Sequence, residues 1–252
     1  MPKMMNRNKK IFAILISYNA EKTLEKFYKN FPKHLFSKII LVDDASHDRT
    51  YYLAKKLGIK SYRNPKNLGY GGNMKRAMSI GLKLGGDVLV DIHPDGEYKP
   101  SAIVPALKKI EKGALLVLGN RFHSSNDPLK SGMYVWKYFP IKILNFISRL
   151  ILGLKINDYH QGFRVYTREL LNKINYGDDS TGFLFSFELI AQAAFWKISV
   201  AQVPVDTKYT GKKRGATLKK SIAYSLEIFW VLLLYILAKI GLKNKIFLKP
   251  NS

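Results

Sequence analysis

The feature that most limits what this chain can fold into is a series of short apolar runs, rich in Ile and Val, that alternate with amphipathic stretches. The runs are Ile11 to Ile16, Ile39 to Val42, Val88 to Ile92, Leu115 to Leu118 and Ser199 to Val203. Between them apolar residues recur at helical spacing, at Leu24, Phe27, Tyr28 and Phe31, at Tyr51, Leu53, Ala54 and Leu57, and at Met74, Ala77, Met78 and Leu82. Such alternation builds β-α-β units, so the expected class is α/β, with a mostly parallel, Rossmann-like sheet flanked by helices. In a sheet of that kind ligands sit beyond the carboxyl ends of the strands, and the residues that follow each run are the candidates for chemistry.

The second half changes character. From Tyr134 to Leu154 apolar and aromatic residues are mixed with Lys137, Lys142 and Arg149, the pattern of an amphipathic helix that is either packed or lies at a membrane surface. Ile228 to Ala238 is uninterrupted apolar sequence between Glu227 and Lys239. It falls short of the roughly 20 residues that span hydrocarbon. A segment from Ile222 to Leu242 reaches the length only by including both charges, so a packed or interfacial helix is expected ahead of a spanning one.

Charge narrows the partners. The 42 Lys and Arg against 18 Asp and Glu give a formal +24, which calls for polyanionic surroundings: nucleic acid, an anionic membrane face or phosphorylated small molecules. No nucleic-acid-binding motif accompanies the charge, and acidic clusters follow the strands, so no nucleic-acid partner is expected. The absence of Cys excludes disulfides, thiolate chemistry and Cys-based metal sites, leaving oxygen or imidazole ligands for any metal. The basic N-terminus leads into too short an apolar run for an export signal, so none is expected.

After the first run come Tyr18 and Asn19, and after the second Asp43, Asp44, Ser46 and Asp48. Carboxylates at strand ends can accept hydrogen bonds from a base or ribose, while Ser46 and Asp48 can equally cap a helix. Asn67-Leu68-Gly69-Tyr70-Gly71-Gly72-Asn73 is a glycine-rich turn before a helix. Its amides can approach a phosphate or sugar, or its glycines can serve the turn alone. The strongest local signal is Asp91-Ile92-His93-Pro94-Asp95-Gly96-Glu97-Tyr98. His93, Asp95 and Glu97, crowded where Pro and Gly force a turn, can hold a hard divalent cation whose free positions go to a diphosphate. Asp91, still inside the strand, reads as a supporting group. Arg121 and Arg164 carry forks that match phosphate oxygens or tie a loop to a carboxylate, and Asp158 and His160 can position an acceptor or take a proton.

Taken in order, Ser17-Tyr18-Asn19, Asp43-Asp44-x-Ser46, Asn67-x-Gly69, Asp95-Gly96-x-Tyr98-x-Pro100, Gly119-Asn120-Arg121-Phe122 and Asp158-Tyr159-His160-Gln161-Gly162-Phe163-Arg164 resemble the family-2 glycosyltransferases. Within that family the chain most resembles the dolichyl- or polyprenyl-phosphate sugar transferases, over roughly residues 10 to 220. The resemblance implies a GT-A fold over residues 1–210, followed over 211–252 by a basic loop and a membrane-associating C-terminal helix. It implies an inverting transferase that moves a sugar from a nucleoside diphosphate sugar to a lipid phosphate, at the cytoplasmic face of the membrane, peripherally bound to an anionic surface. Tyr18, Asn19, Asp43 or Asp44, Asn67 and Gly69 would meet the nucleotide. The basic loop of Lys212, where an Arg is usual, and Arg214 would close over the diphosphate or else tether the chain electrostatically to a membrane, and Arg121 and Arg164 would bind phosphate. The Asp-x-Asp metal motif, for Mg2+ or Mn2+, falls on His93-Pro94-Asp95, with His93 where the first aspartate is usual. A transferase extending a lipid-linked or surface polysaccharide at a sugar hydroxyl is the alternative, and that chemistry needs a general base.

Overall fold

The computed structural model describes residues 9–123, 128–207, 209 and 217–250. The strands are β1 (Ile11–Ser17), β2 (Lys38–Asp43), β3 (Lys60–Arg63), β4 (Val88–Asp91), β5 (Leu116–Asn120), β6 (Arg164–Thr167) and β7 (Val200–Pro204). The helices are α1 (Glu21–Lys29), α2 (Thr50–Lys56), α3 (Gly69–Lys83), α4 (Ile103–Glu111), α5 (Val135–Leu152), α6 (Arg168–Lys173), α7 (Phe185–Phe195) and α8 (Leu218–Lys239).

All seven strands pair in one sheet, in the order β3-β2-β1-β4-β6-β5-β7. Every pairing is parallel except those of β6, which runs antiparallel between β4 and β5. The five apolar runs are β1, β2, β4, β5 and β7; β3 and β6 carry no such signature.

All of β1 is buried because helices cover both faces of the sheet. Phe12, Ile14 and Ile16 enter one core with Met74 and Met78 of α3, Phe185 and Leu189 of α7, and Ile228 and Leu232 of α8. Ala13 and Leu15 enter the other with Leu24 of α1 and Ile103 and Leu107 of α4. The C-terminal helix thus shares a core with the sheet.

Register shapes the upper edge. Ser17 pairs with Asp43, so the loops after β1 and β2 open side by side. β4 ends beside Ile14 of β1, which recesses the turn that follows it. Across the antiparallel joint Asp91 pairs with Arg164. Asp91 and Arg164 are thereby set side by side in register at the middle of the edge where ligands of such sheets bind.

Candidate active site

The first two loops knit to each other. Asn19, in the left-handed region at φ 53°, donates its amide to Ser46 Oγ (2.9 Å), and its own Oδ1 accepts from the His47 amide (2.9 Å). Asp48 serves two helix starts: Oδ2 accepts from the Glu21 amide at α1 (3.1 Å), Oδ1 from the Thr50 amide at α2 (2.9 Å). Tyr18 is exposed, its ring edge-on to His47.

The Asp43-Asp44 pair is occupied by the protein itself. Asp43 accepts from the Ser46 amide and hydroxyl and pairs with Arg63 Nε at 3.3 Å. Asp44 accepts from Asn64 Nδ2 (2.6 Å) and from the amides of Leu68 (2.8 Å) and Gly69 (3.0 Å). Asn67 returns a bond to the Asp44 carbonyl (3.3 Å). The amides of Gly71 and Gly72 donate to the Thr181 carbonyl at 2.7 and 3.2 Å. Of the two readings open for the glycine-rich turn, these bonds favour the turn role: the amides of Leu68, Gly69, Gly71 and Gly72 are held by a carboxylate and a carbonyl of the protein. The glycines serve close packing. A Cβ on Gly71 would lie 2.6 Å from Cβ of Phe185.

Beyond β4, Asp91, His93 and Asp95 occupy alternate positions, running from full burial to solvent. His93 Nε2 lies 3.5 Å from Asp91 Oδ1. Burial would lower the His93 pKa, but Asp91 and Asp95 outweigh it and raise it. Asp95 is exposed, and its Oδ1 accepts from the Glu97 amide at 2.9 Å. Burial, and then the charge of Asp95, raise the Glu97 carboxyl. Among the described residues no three of His, Asp or Glu converge as a ready-made cation cage. Asp95, with His93 two positions away, still fits a cation that takes its remaining ligands from a diphosphate.

Behind this turn lies a second group. Arg121 grips Asp158 with Nε at 2.7 Å and Nη2 at 2.9 Å, and also reaches the His160 carbonyl (2.9 Å) and Tyr209 Oη (3.0 Å). Burial alone would raise the Asp158 carboxyl; the Arg121 guanidinium reverses this and holds it below the usual range. The Arg121 fork thus ties a loop to a carboxylate, the alternative to phosphate binding that its residue type left open. Arg164 is buried differently: Nη1 donates to Tyr70 Oη (3.3 Å), while Nε has no partner among the described residues. Burial pushes the His160 imidazole down to about 3. Its Nδ1 lies 3.2 Å from Tyr224 Oη on α8, and its Nε2 has no partner among the described residues. Lys212 and Arg214 lie outside the described residues. Sequence reasoning missed Tyr70 and Tyr224, the hydroxyl partners of Arg164 and His160. Tyr70 was readable as the one aromatic inside the glycine-rich turn; Tyr224 carried no signal.

Comparison with known proteins places this arrangement. Residues 12–174 match the family model for glycosyl transferase family 2. The chain belongs to glycosyl transferase family 2. It is 32% identical to the polyprenol monophosphomannose synthase of Mycolicibacterium smegmatis over 71% of this chain and 69% of that one. It is 25% identical to the UDP-N-acetylglucosamine–dolichyl-phosphate N-acetylglucosaminyltransferase of Methanococcus voltae over 92% and 98% of the two chains. Its fold is that of the glucosyl-3-phosphoglycerate synthase of Mycobacterium tuberculosis, solved with Mn2+ and UDP, at a TM-score of 0.69 and 18% identity over 94% of this chain and 82% of that one. This glycosyltransferase therefore has the GT-A architecture, and its candidate site lies at the strand ends where such sheets bind ligands.

Proposed function

We propose that this glycosyltransferase moves a sugar from a nucleoside diphosphate sugar to a polyprenyl-type phosphate, with inversion at the anomeric carbon. One observation carries the reading: α8 touches the site and bares apolar surface at once. Tyr224 reaches His160 from α8, while Leu226, Phe229, Trp230 and Leu233 of the same helix are exposed. Beside it α5 exposes Phe139, Ile143, Phe146 and Leu150 and carries the basic residues Lys137, Lys142 and Arg149. A lipid whose tail lies along these faces brings its phosphate to the candidate site. Relatives named for polyprenol and dolichyl-phosphate acceptors support the same class.

The acceptor oxygen attacks the anomeric carbon from the face opposite the diphosphate; the bond to the diphosphate breaks and a nucleoside diphosphate leaves. A phosphate monoester is largely ionised near neutral pH and needs no strong base. That suits the site, where Asp158 is locked to Arg121 and His160 is a weak base. A sugar hydroxyl would need a better base than either. Arg164, with an unpartnered Nε, supplies positive charge near the acceptor, and Lys212 and Arg214 supply it over the diphosphate. Asp95 and His93, with Glu97, would hold the divalent cation, Mg2+ or Mn2+, which neutralises charge on the departing diphosphate. Tyr18, Asn19 and the loops set by Asp43, Asp44, Asn67 and Gly69 shape the nucleotide end. The C-terminal 211–252 segment acts as the membrane-associating part, at the cytoplasmic face.

The test is a product assay with radiolabelled nucleotide sugars and two acceptors, a polyprenyl phosphate and a free oligosaccharide. Label extracted into the lipid phase with the polyprenyl phosphate alone is expected. Transfer to the oligosaccharide alone would overturn the acceptor class.

A further inference from the structure

Asp91 is the last residue of β4 and is fully buried, yet neither carboxylate oxygen has a hydrogen-bond partner among the described residues. The charge of Arg164 acts on this carboxylate, yet a buried carboxylate without a hydrogen bond is still costly, so a group that can donate to it should be close. His93 Nε2, itself without a partner within hydrogen-bond geometry, lies 3.5 Å from Asp91 Oδ1. That is the outer edge of a hydrogen bond, a spacing common in sites that tighten when loaded.

The imidazole is confined on its other sides. Tyr70 stands edge-on with ring centres 5.7 Å apart. Gly162 passes so near that a Cβ there would lie 3.3 Å from Cε1 of His93 and 3.0 Å from Cε2 of Tyr98. The Gly162 amide also donates to Tyr98 Oη at 2.9 Å, which fixes that approach. Nε2 is thereby turned inward to Asp91. The side chain keeps 19% exposure, and Asp95 acts on it electrostatically from a solvent-exposed position.

We propose that Asp91 is a positioning residue for His93: it accepts the Nε2–H, fixes the tautomer whose lone pair lies on Nδ1, and so presents an imidazole nitrogen alongside the Asp95 carboxylate. This rests on the reading of His93 and Asp95 as cation ligands. A carboxylate behind a ligating imidazole orients the ring and raises its basicity. A nitrogen and oxygen donor pair also suits Mn2+ better than Mg2+, which prefers oxygen alone.

The tautomer is read directly, without metal or turnover, from long-range proton–nitrogen correlation spectra of the full chain carrying 15N-histidine. The spectra are recorded at about pH 9, where an ordinary imidazole is neutral. The His93 signals are assigned by their loss in His93→Gln. The wild type is expected to carry its proton on Nε2, and Asp91→Asn, whose amide can donate to Nε2, to move it toward Nδ1. In parallel, electron paramagnetic resonance titration of Mn2+ in the presence of UDP should show Asp91→Asn binding roughly 10- to 100-fold more weakly. A wild-type ring protonated on Nδ1 overturns the proposal whether or not any variant folds. So does a folded Asp91→Asn protein with unchanged tautomer and unchanged Mn2+ affinity. A wild type that shows the Nε2 proton but takes up no Mn2+ overturns the cation reading instead, and so the two failures are told apart.

Discussion

Removing either partner of the Arg121–Asp158 pair should destabilise the fold strongly. Both are buried, and the survivor would be left as an uncompensated charge, at a cost of about 3–5 kcal/mol. Arg121→Ala is therefore expected to lower the midpoint of thermal unfolding sharply; a variant within about 1 kcal/mol of wild type would show the pair to be dispensable. The pH sign follows from the lowered Asp158 carboxyl. Its contribution is present above the unfolded carboxylate pKa and lost as pH falls through the lower folded value, so Arg121→Ala and wild type should converge in stability in strong acid. Asp95 sits at the opposite extreme. It is exposed and holds only a local turn, so Asp95→Ala should keep the fold while kcat/KM drops by roughly 10²- to 10³-fold, the scale of losing one charge-stabilising group. A folded Asp95→Ala enzyme with near-normal turnover would remove it from the chemistry.

Helix α7 is nearly all apolar, and the turn over residues 175–182 is fastened to it by acids. Glu188 accepts from the Ser180 amide and hydroxyl, and Gln192 Nε2 donates to Asp179 Oδ1 at 2.7 Å. Burial first, and then the charge of Glu188, push the Asp179 carboxyl up to about 9. A carboxyl raised in the folded state gives stability that is complete below its unfolded pKa and is lost as pH rises through the folded value. Asp179→Asn, which imitates the protonated acid, should therefore be nearly neutral near pH 4. Its stability gain should grow steadily with pH, to several kcal/mol by about pH 9. Denaturant melts across that range check it, and a gain that shrinks with rising pH would contradict the assignment. Elements were legible in proportion to how locally they are specified. β1, β2, β4, β5 and β7 announce themselves as apolar runs because both faces of each are covered. β6 is four residues, Arg-Val-Tyr-Thr, and exists only because β4 and β5 leave a slot for an antiparallel strand. Ile228 to Ala238 is the uninterrupted apolar part of α8, while its first turns, Leu218 to Glu227, mix Lys and Ser with apolar residues and carry a weaker pattern. At the site, the motifs mark which loops gather at the strand ends, while the contacts inside those loops come from partners far away in the chain. The internal partners of Asp44, the amides of Leu68 and Gly69, lie 24 and 25 residues on in the chain, beyond the reach of a local pattern.

At the scale of the whole molecule, charge and apolar surface should act together at a membrane. Helix α8, of 22 residues, is long and apolar enough to cross one by length and composition, yet Ile228, Val231, Leu232 and Tyr235 are sunk in the core. A helix that holds the core with one face cannot leave it for lipid without exposing those residues to loss of packing, which favours lying on the bilayer over crossing it. The outer face, with α5, then supplies hydrocarbon burial, and the net +24 supplies attraction of about 1 kcal/mol for each well-placed basic residue. Flotation with liposomes is expected to show strong binding to anionic vesicles, little to neutral ones, and release by high salt or alkaline carbonate. Phe146→Ser with Leu226→Ser, both more than 60% exposed, should weaken vesicle binding while leaving the unfolding midpoint within about 1 kcal/mol of wild type. Retention after carbonate would instead identify α8 as a spanning helix. Failure to bind anionic vesicles would take away the physical route by which a lipid phosphate reaches Arg164 and His160.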